Sequence, residues 1–91
     1  MEKAIESHVD DLMTEHGVIG VLCVDNQGLA LTAKGTANPI HSGPVLNLAE
    51  CAKKLYPEIE PQPVICLESD ACNLLIRTQD KVTVAIHKVP S

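Results

Sequence analysis

The chain has 91 residues, a net charge of −5 and an apolar fraction of 45%, with no Trp, no Phe and a single aromatic, Tyr56. That length is read as one domain, 1–91, burying only roughly 60–65% of its surface and so gaining from a partner. Single-stranded nucleic acid is gripped by aromatic platforms and basic grooves; a chain with neither is not expected to bind it. No apolar run approaches the ~18 residues of a membrane-crossing helix, so no direct membrane insertion is expected.

The opening residues, MEKAIESHVDDLM, are acidic and amphipathic rather than a signal peptide. Position 2 is Glu rather than the Gly that myristoylation needs, and no prenylation box ends the chain. Residues 2 to 15 read as a helix, with Ala4, Ile5, Val9, Leu12 and Met13 on its apolar face. Glu2, Glu6, Asp10, Asp11 and Glu15 make the other face acidic, with only Lys3 against them; this is a solvated face or an acidic docking surface. Gly17 ends the helix.

Val18 to Val24 is apolar on both faces, which fits a strand covered by helices on both sides. Gly20 within it leaves room for a close neighbour. The next strand is Leu29 to Lys34. Between them Asp25-Asn26-Gln27-Gly28 has Asp at the first and Gly at the fourth position of a type I turn, with Gly28 left-handed. The loop is read as a hairpin corner. Asp25 has no sequence-local base, nucleophile or second carboxylate beside it for acid–base work.

Residues 36 to 43 are turn-rich, and a helix then runs to about Tyr56. It starts either with Asn38 as N-cap and Pro39 at the first position, or at Pro44 itself. Val45, Leu48, Ala49, Ala52 and Leu55 form its expected inward stripe. Leu46 and Cys51 fall off that stripe. Leu46 is then a lone surface residue or half of a helix-to-helix contact. A Pro-punctuated connection, residues 56 to 63, leads to three strands: Val64 to Glu68, Asn73 to Thr78, and Val82 to Lys88, joined by short hairpins. The order α-β-β-α-β-β-β defines an α+β fold with an antiparallel sheet and helices on both faces.

The chain has no phosphate-binding loop, no G-x-G-x-x-G and no G-x-S-x-G elbow. His8, His16, His41 and His87 are dispersed, which does not suit a metal site. Cys23, Cys51, Cys66 and Cys72 include no C-x-x-C pair, so reduced thiols in the cytoplasm are expected, without metal, cofactor or disulfide framework. Cys23 and Cys66 read as packing thiols and Cys72 as the most exposable. No nucleophile–base pair can be named, so no enzyme is expected; a cysteine-dependent enzyme using Cys72 or Cys51 is the distant alternative. What stands out is the strand PVICLES. It follows a long crossover, starts with Pro63, and is guarded only by Pro63 and Glu68. At a sheet edge it invites another strand.

These residues carry a resemblance. The element order with GVLCVDNQGL in the first hairpin resembles the roadblock fold of dynein light chains and small-GTPase regulators. GVLC-D-QGL (Gly20 to Leu29), CLESD (Cys66 to Asp70) and TVA-HK (Thr83 to Lys88) resemble, over the whole chain, the family of hepatitis B virus X-interacting proteins, the smallest roadblock-type subunits of the Ragulator complex. The resemblance implies a non-catalytic scaffold with a five-stranded antiparallel sheet and no C-terminal helix. It implies a heterodimer with another small roadblock subunit, through the third strand and the helix before it. Carried onto this chain, the interface residues are Val64, Ile65, Cys66, Leu67, Glu68 and Ser69, with Leu46 from the helix. It further implies a complex that holds Rag GTPases at the lysosomal surface for amino-acid-dependent target-of-rapamycin signalling, and binding to the viral X protein and survivin. A homodimeric roadblock adaptor is the alternative. Against the family pattern, Ala71-Cys72 is an unusual turn, where Gly or Asn is favoured.

Overall fold

The computed structural model describes residues 2–60 and 63–90. In chain order the elements are α1 (Glu2–Met13), β1 (Val18–Asp25), β2 (Ala30–Gly35), a 3-10 turn (Pro39–His41), α2 (Ser42–Leu55), β3 (Ile65–Glu68), β4 (Asn73–Gln79) and β5 (Val82–Lys88). The side chains of Glu2 and Lys3, part of the acidic face read from the sequence, lie outside the described residues, as do Pro61 and Gln62 of the long connection.

All five strands join one antiparallel sheet in the order β2-β1-β5-β4-β3. β1 is interior, and its continuous apolar run is explained by two covers. Successive side chains of a strand point to opposite faces. Val21 and Cys23 meet Val9 and Leu12 of α1, with Val84 of β5 beside them. Leu22 and Val24 meet Val45 of α2, with Ile76 and Ala85 completing that cluster. The helices therefore cover opposite faces, as the hydrophobic pattern of β1 requires. α1 buries Val9 and Leu12, and Ile5 and Met13 pack at the margin. Ala4, expected on the apolar face, is exposed, as is His8.

The Asp25–Gly28 loop is the expected corner. The Gly28 amide donates to the Asp25 carbonyl at 3.1 Å, and Gly28 sits at φ +89. Asp25 has a local task. Its Oδ1 accepts from the amides of Gln27 and Leu29, each at 2.9 Å, and its own amide donates to the Leu29 carbonyl at 2.9 Å. Leu29 is 65% exposed and precedes β2, which begins at Ala30.

The start of α2 combines both readings of its prolines. Asn38 caps the 3-10 turn, its side chain accepting from the Ile40 amide at 3.0 Å, with Pro39 following. Ser42 Oγ then donates to the Pro39 carbonyl at 2.7 Å and α2 begins. Pro44 falls in the first turn of α2, where a backbone N–H has no intrahelical acceptor, so no hydrogen bond is lost.

Two tight turns close the remaining hairpins. Ser69 organises the β3–β4 turn. Its hydroxyl donates to the Cys72 carbonyl at 2.8 Å and accepts from the Cys72 amide at 3.1 Å. Asp80 and Lys81 form the two-residue β4–β5 turn at φ 51 and 68, a left-handed pair that Asn and Gly hold at less cost.

Candidate subunit interface

β3 lies at one edge of the sheet and pairs only with β4, from Ile65↔Ile76 to Glu68↔Asn73. An edge strand leaves one row of backbone donors and acceptors open to a further strand. The other edge, β2, is guarded by Lys34, and Leu31 is drawn in against the α1-side cluster.

Exposed large apolar side chains gather beside β3. Of nine such residues among those described, Leu48, Leu55, Tyr56, Ile59, Val64 and Leu67 fall between the middle of α2 and β3 in the sequence. Scattered surface leucines need no explanation, whereas a contiguous group marks a contact surface. Leu48, Cys51 and Leu55 are spaced i, i+3, i+7 and so share one stripe of α2. On β3, Ile65 packs against the cluster beneath α2, and Leu67, two residues on, points to the same face. The exposed stripe of α2 and the Leu67 side of β3 thus lie on one face of the sheet.

The sequence-assigned residues divide accordingly. Val64 is 56% exposed and stands just before β3 rather than within it. Ile65 is half-buried and belongs partly to the chain's own core. Cys66 and Glu68 are exposed on the opposite face, with Sγ to Oε1 at 3.9 Å. Leu67 is 45% exposed. Ser69 is exposed and committed to the turn. Leu46 is placed differently from the sequence reading. It is half-buried against the α2-side cluster, with Val45 and Ala49, rather than pointing away from the sheet. Leu55, expected inward, is 73% exposed, whereas Leu48 is half-exposed at 37% and lies beside Leu22, Val45 and Leu74. The signal was in α2 itself: Val45, Leu46, Leu48, Ala49, Cys51, Ala52 and Leu55 make an apolar arc wider than one sheet contact covers.

The thiols also rearrange. All four are free. Cys23 is buried, and burial pushes its thiol pKa up, away from the reactive thiolate. Cys51 and Cys66 are exposed, while Cys72, expected to be the most exposable, is half-buried. Cys66 is no packing residue in the lone chain because its side of β3 has no helix against it; α1 contacts β1 and β2. His87 Nδ1 lies 3.0 Å from Thr36 Oγ1. Its pKa is lowered, first by burial and then by the neighbouring His41. No group of three or more His, Cys, Asp or Glu among the described residues is placed to hold a metal ion, and no helix among them is long and apolar enough to cross a membrane.

The five-stranded antiparallel sheet with α1 and α2 on opposite faces has the roadblock fold, as solved structures show. Myxococcus xanthus MglB superposes with a TM-score of 0.81 over 97% of this chain and 71% of its own, at 17% identity. A Roadblock/LC7 domain from Streptomyces avermitilis gives 0.73 over 89% and 74%, at 12% identity. Sequence narrows the class. Residues 1–88 match the family model for Ragulator complex protein LAMTOR5. The chain is 72% identical over 91 residues to a Ragulator complex protein LAMTOR5 homolog of Nematostella vectensis, covering all of both. It is 43% identical, again over the full length of both, to Ragulator complex protein LAMTOR5 of Xenopus tropicalis. The chain belongs to the LAMTOR5 family of Ragulator complex proteins.

Proposed function

We propose that this chain is a non-catalytic scaffold subunit of Ragulator that pairs through β3 with another small roadblock subunit. The observation that carries the reading is the coincidence of an open edge strand with the exposed apolar stripe of α2. Addition of a partner strand to β3 would continue the sheet across two subunits, and α2 would cover a neighbouring helix. Leu48, Leu55 and Leu67 then supply the apolar contact, with Val64 and Ile65 at the seam. The assembled pair, with the remaining Ragulator subunits, holds Rag GTPases at the lysosomal surface for amino-acid-dependent target-of-rapamycin signalling. The chain itself remains in the cytoplasm and reaches the lysosome through the complex. Viral X protein and survivin are further proposed partners.

Hydrogen exchange tests the interface. When the small roadblock subunit is added, amides of residues 65–68 become protected, while the β2 edge exchanges at its original rate. Protection at β2, or none at β3, places the pairing elsewhere.

A further inference from the structure

A second surface on the α2 side of the sheet differs in character. A cleft of about 360 Å3 opens between α2, the start of β3, the β1–β2 corner and the β4–β5 turn. Leu46, Ala49, Ile65 and Ile76 give it an apolar lining. Lys53 borders it from α2 and Lys81 from the turn, whereas the side chain of Arg77, next to inward Ile76 and opposite Val84, points to the α1 face of the sheet. Glu50 is the acid among its described lining residues. The chain has 12 acids and only seven Lys and Arg, yet Lys53 and Lys81 stand here against the single acid Glu50. The rim therefore carries a small positive excess on a chain that is acidic overall.

The rest of the lining narrows what fits. Thr83 is buried, and its Oγ1 already lies 3.0 Å from Thr78 Oγ1. Its hydroxyl is not waiting for a small ligand, whereas metabolite sites have convergent polar groups that fix orientation. Lys53 and Lys81 are exposed and stand on different elements. At 100° per residue, Lys53 faces almost opposite the Leu48–Leu55 stripe of α2. A ligand held by Lys53 leaves the Leu48–Leu55 stripe free, while Ile65 is shared with the pairing seam.

We propose that this cleft docks an acidic linear segment of a partner polypeptide. One aliphatic side chain rests on the Leu46–Ile65–Ile76 floor, and flanking carboxylates pair with Lys53 and Lys81. The charged rim, Lys53 and Lys81, stands apart from the residues assigned to strand pairing at β3.

The probe is a seven-residue peptide, EEDLEED, titrated into the isotope-labelled full chain while amide NMR shifts are followed. Shifts are expected at Asn26, Leu46, Lys53 and Lys81, and affinity is expected to fall as salt rises from about 50 to about 500 mM. The double variant Lys53→Glu/Lys81→Glu should weaken binding about tenfold, because two exposed ion pairs become repulsions. A peptide with Gly in place of the central Leu should also bind more weakly. The surface lysines lie outside the core, so an unchanged urea midpoint verifies the fold of the variant. The proposal is overturned if the double variant binds equally, if an uncharged peptide binds as well, if inorganic phosphate reproduces the same shifts, or if no shifts occur. Retained affinity for the roadblock subunit in the double variant separates this site from the pairing surface.

Discussion

Leu55 and Leu67 separate pairing from folding because both are exposed in the lone chain. Leu55 is 73% exposed and Leu67 45%. Fully burying a leucine side chain is worth about 1.5–3 kcal/mol. A partner that covers what the fold leaves open therefore gains about 1–2 kcal/mol at Leu55 and about 0.7–1.3 kcal/mol at Leu67. Leu55→Ala should weaken pairing by roughly fivefold to thirtyfold and Leu67→Ala by roughly threefold to ninefold. Leu67→Lys should be worse, since a charge desolvated without a partner costs about 3–5 kcal/mol. Calorimetric titration against the small roadblock subunit measures the affinity, and urea unfolding of the lone chain measures the fold. The latter should move by less than about 0.5 kcal/mol for the alanine variants, the usual range for surface substitutions. Ile65→Lys would not separate the two effects, because Ile65 packs against the chain's own α2-side cluster. The reasoning fails if Leu55→Ala and Leu67→Lys bind within twofold of the native chain, or if lost affinity is matched by lost stability.

Three further outcomes follow from local geometry. Asp25→Ala removes an acceptor for the amides of Gln27 and Leu29 and should cost about 1–2 kcal/mol in urea unfolding, with no effect on pairing; an unchanged midpoint would mean water replaces the carboxylate. Gly20→Ala should cost about 1–3 kcal/mol by overpacking, because a Cβ there would come 2.8 Å from the Ala37 amide nitrogen and 2.5 Å from Thr36 Oγ1; a neutral result would show that the β2 end can move aside. His87 is held below its ordinary 6.5 by burial and then by His41, so the unfolded chain takes up the proton first and stability should fall as pH drops through and below that value. His87→Gln should flatten this part of the pH–stability curve, and parallel curves for the two proteins would remove His87 as the cause.

The sheet and the first hairpin were legible because single residues there have one efficient use. An apolar run with no alternation needs cover on both faces, and β1 has it from α1 and α2. Asp followed three positions later by Gly marks a corner, and Gly28 takes the left-handed conformation. The two later turns were less legible. Asp80 and Lys81 are left-handed without a glycine. The β3–β4 turn rests on the Ser69 hydroxyl rather than on the backbone freedom of Ala71 or Cys72. The rotation of α2 was the main misreading. Its apolar residues span so wide an arc that periodicity alone cannot decide which flank faces the sheet. Packing against Leu22, Val24 and Ile76 selects Val45, with Leu46 and Ala49 beside it, and leaves Leu48 at the margin and Leu55 outside. The edge position of β3 depended on long-range pairing, since β5 inserts between β1 and β4. Local sequence supplied an apolar, lightly guarded strand; only the registers made it an edge.

Native mass by light scattering over a dilution series, for the chain alone and mixed with the small roadblock subunit, tests the pairing role most directly. A lone chain that is monomeric or weakly self-paired, and a mixture that holds a one-to-one dimer on dilution, is the predicted result. A homodimer that resists dilution and ignores that subunit would contradict it and make a homodimeric roadblock adaptor the better reading.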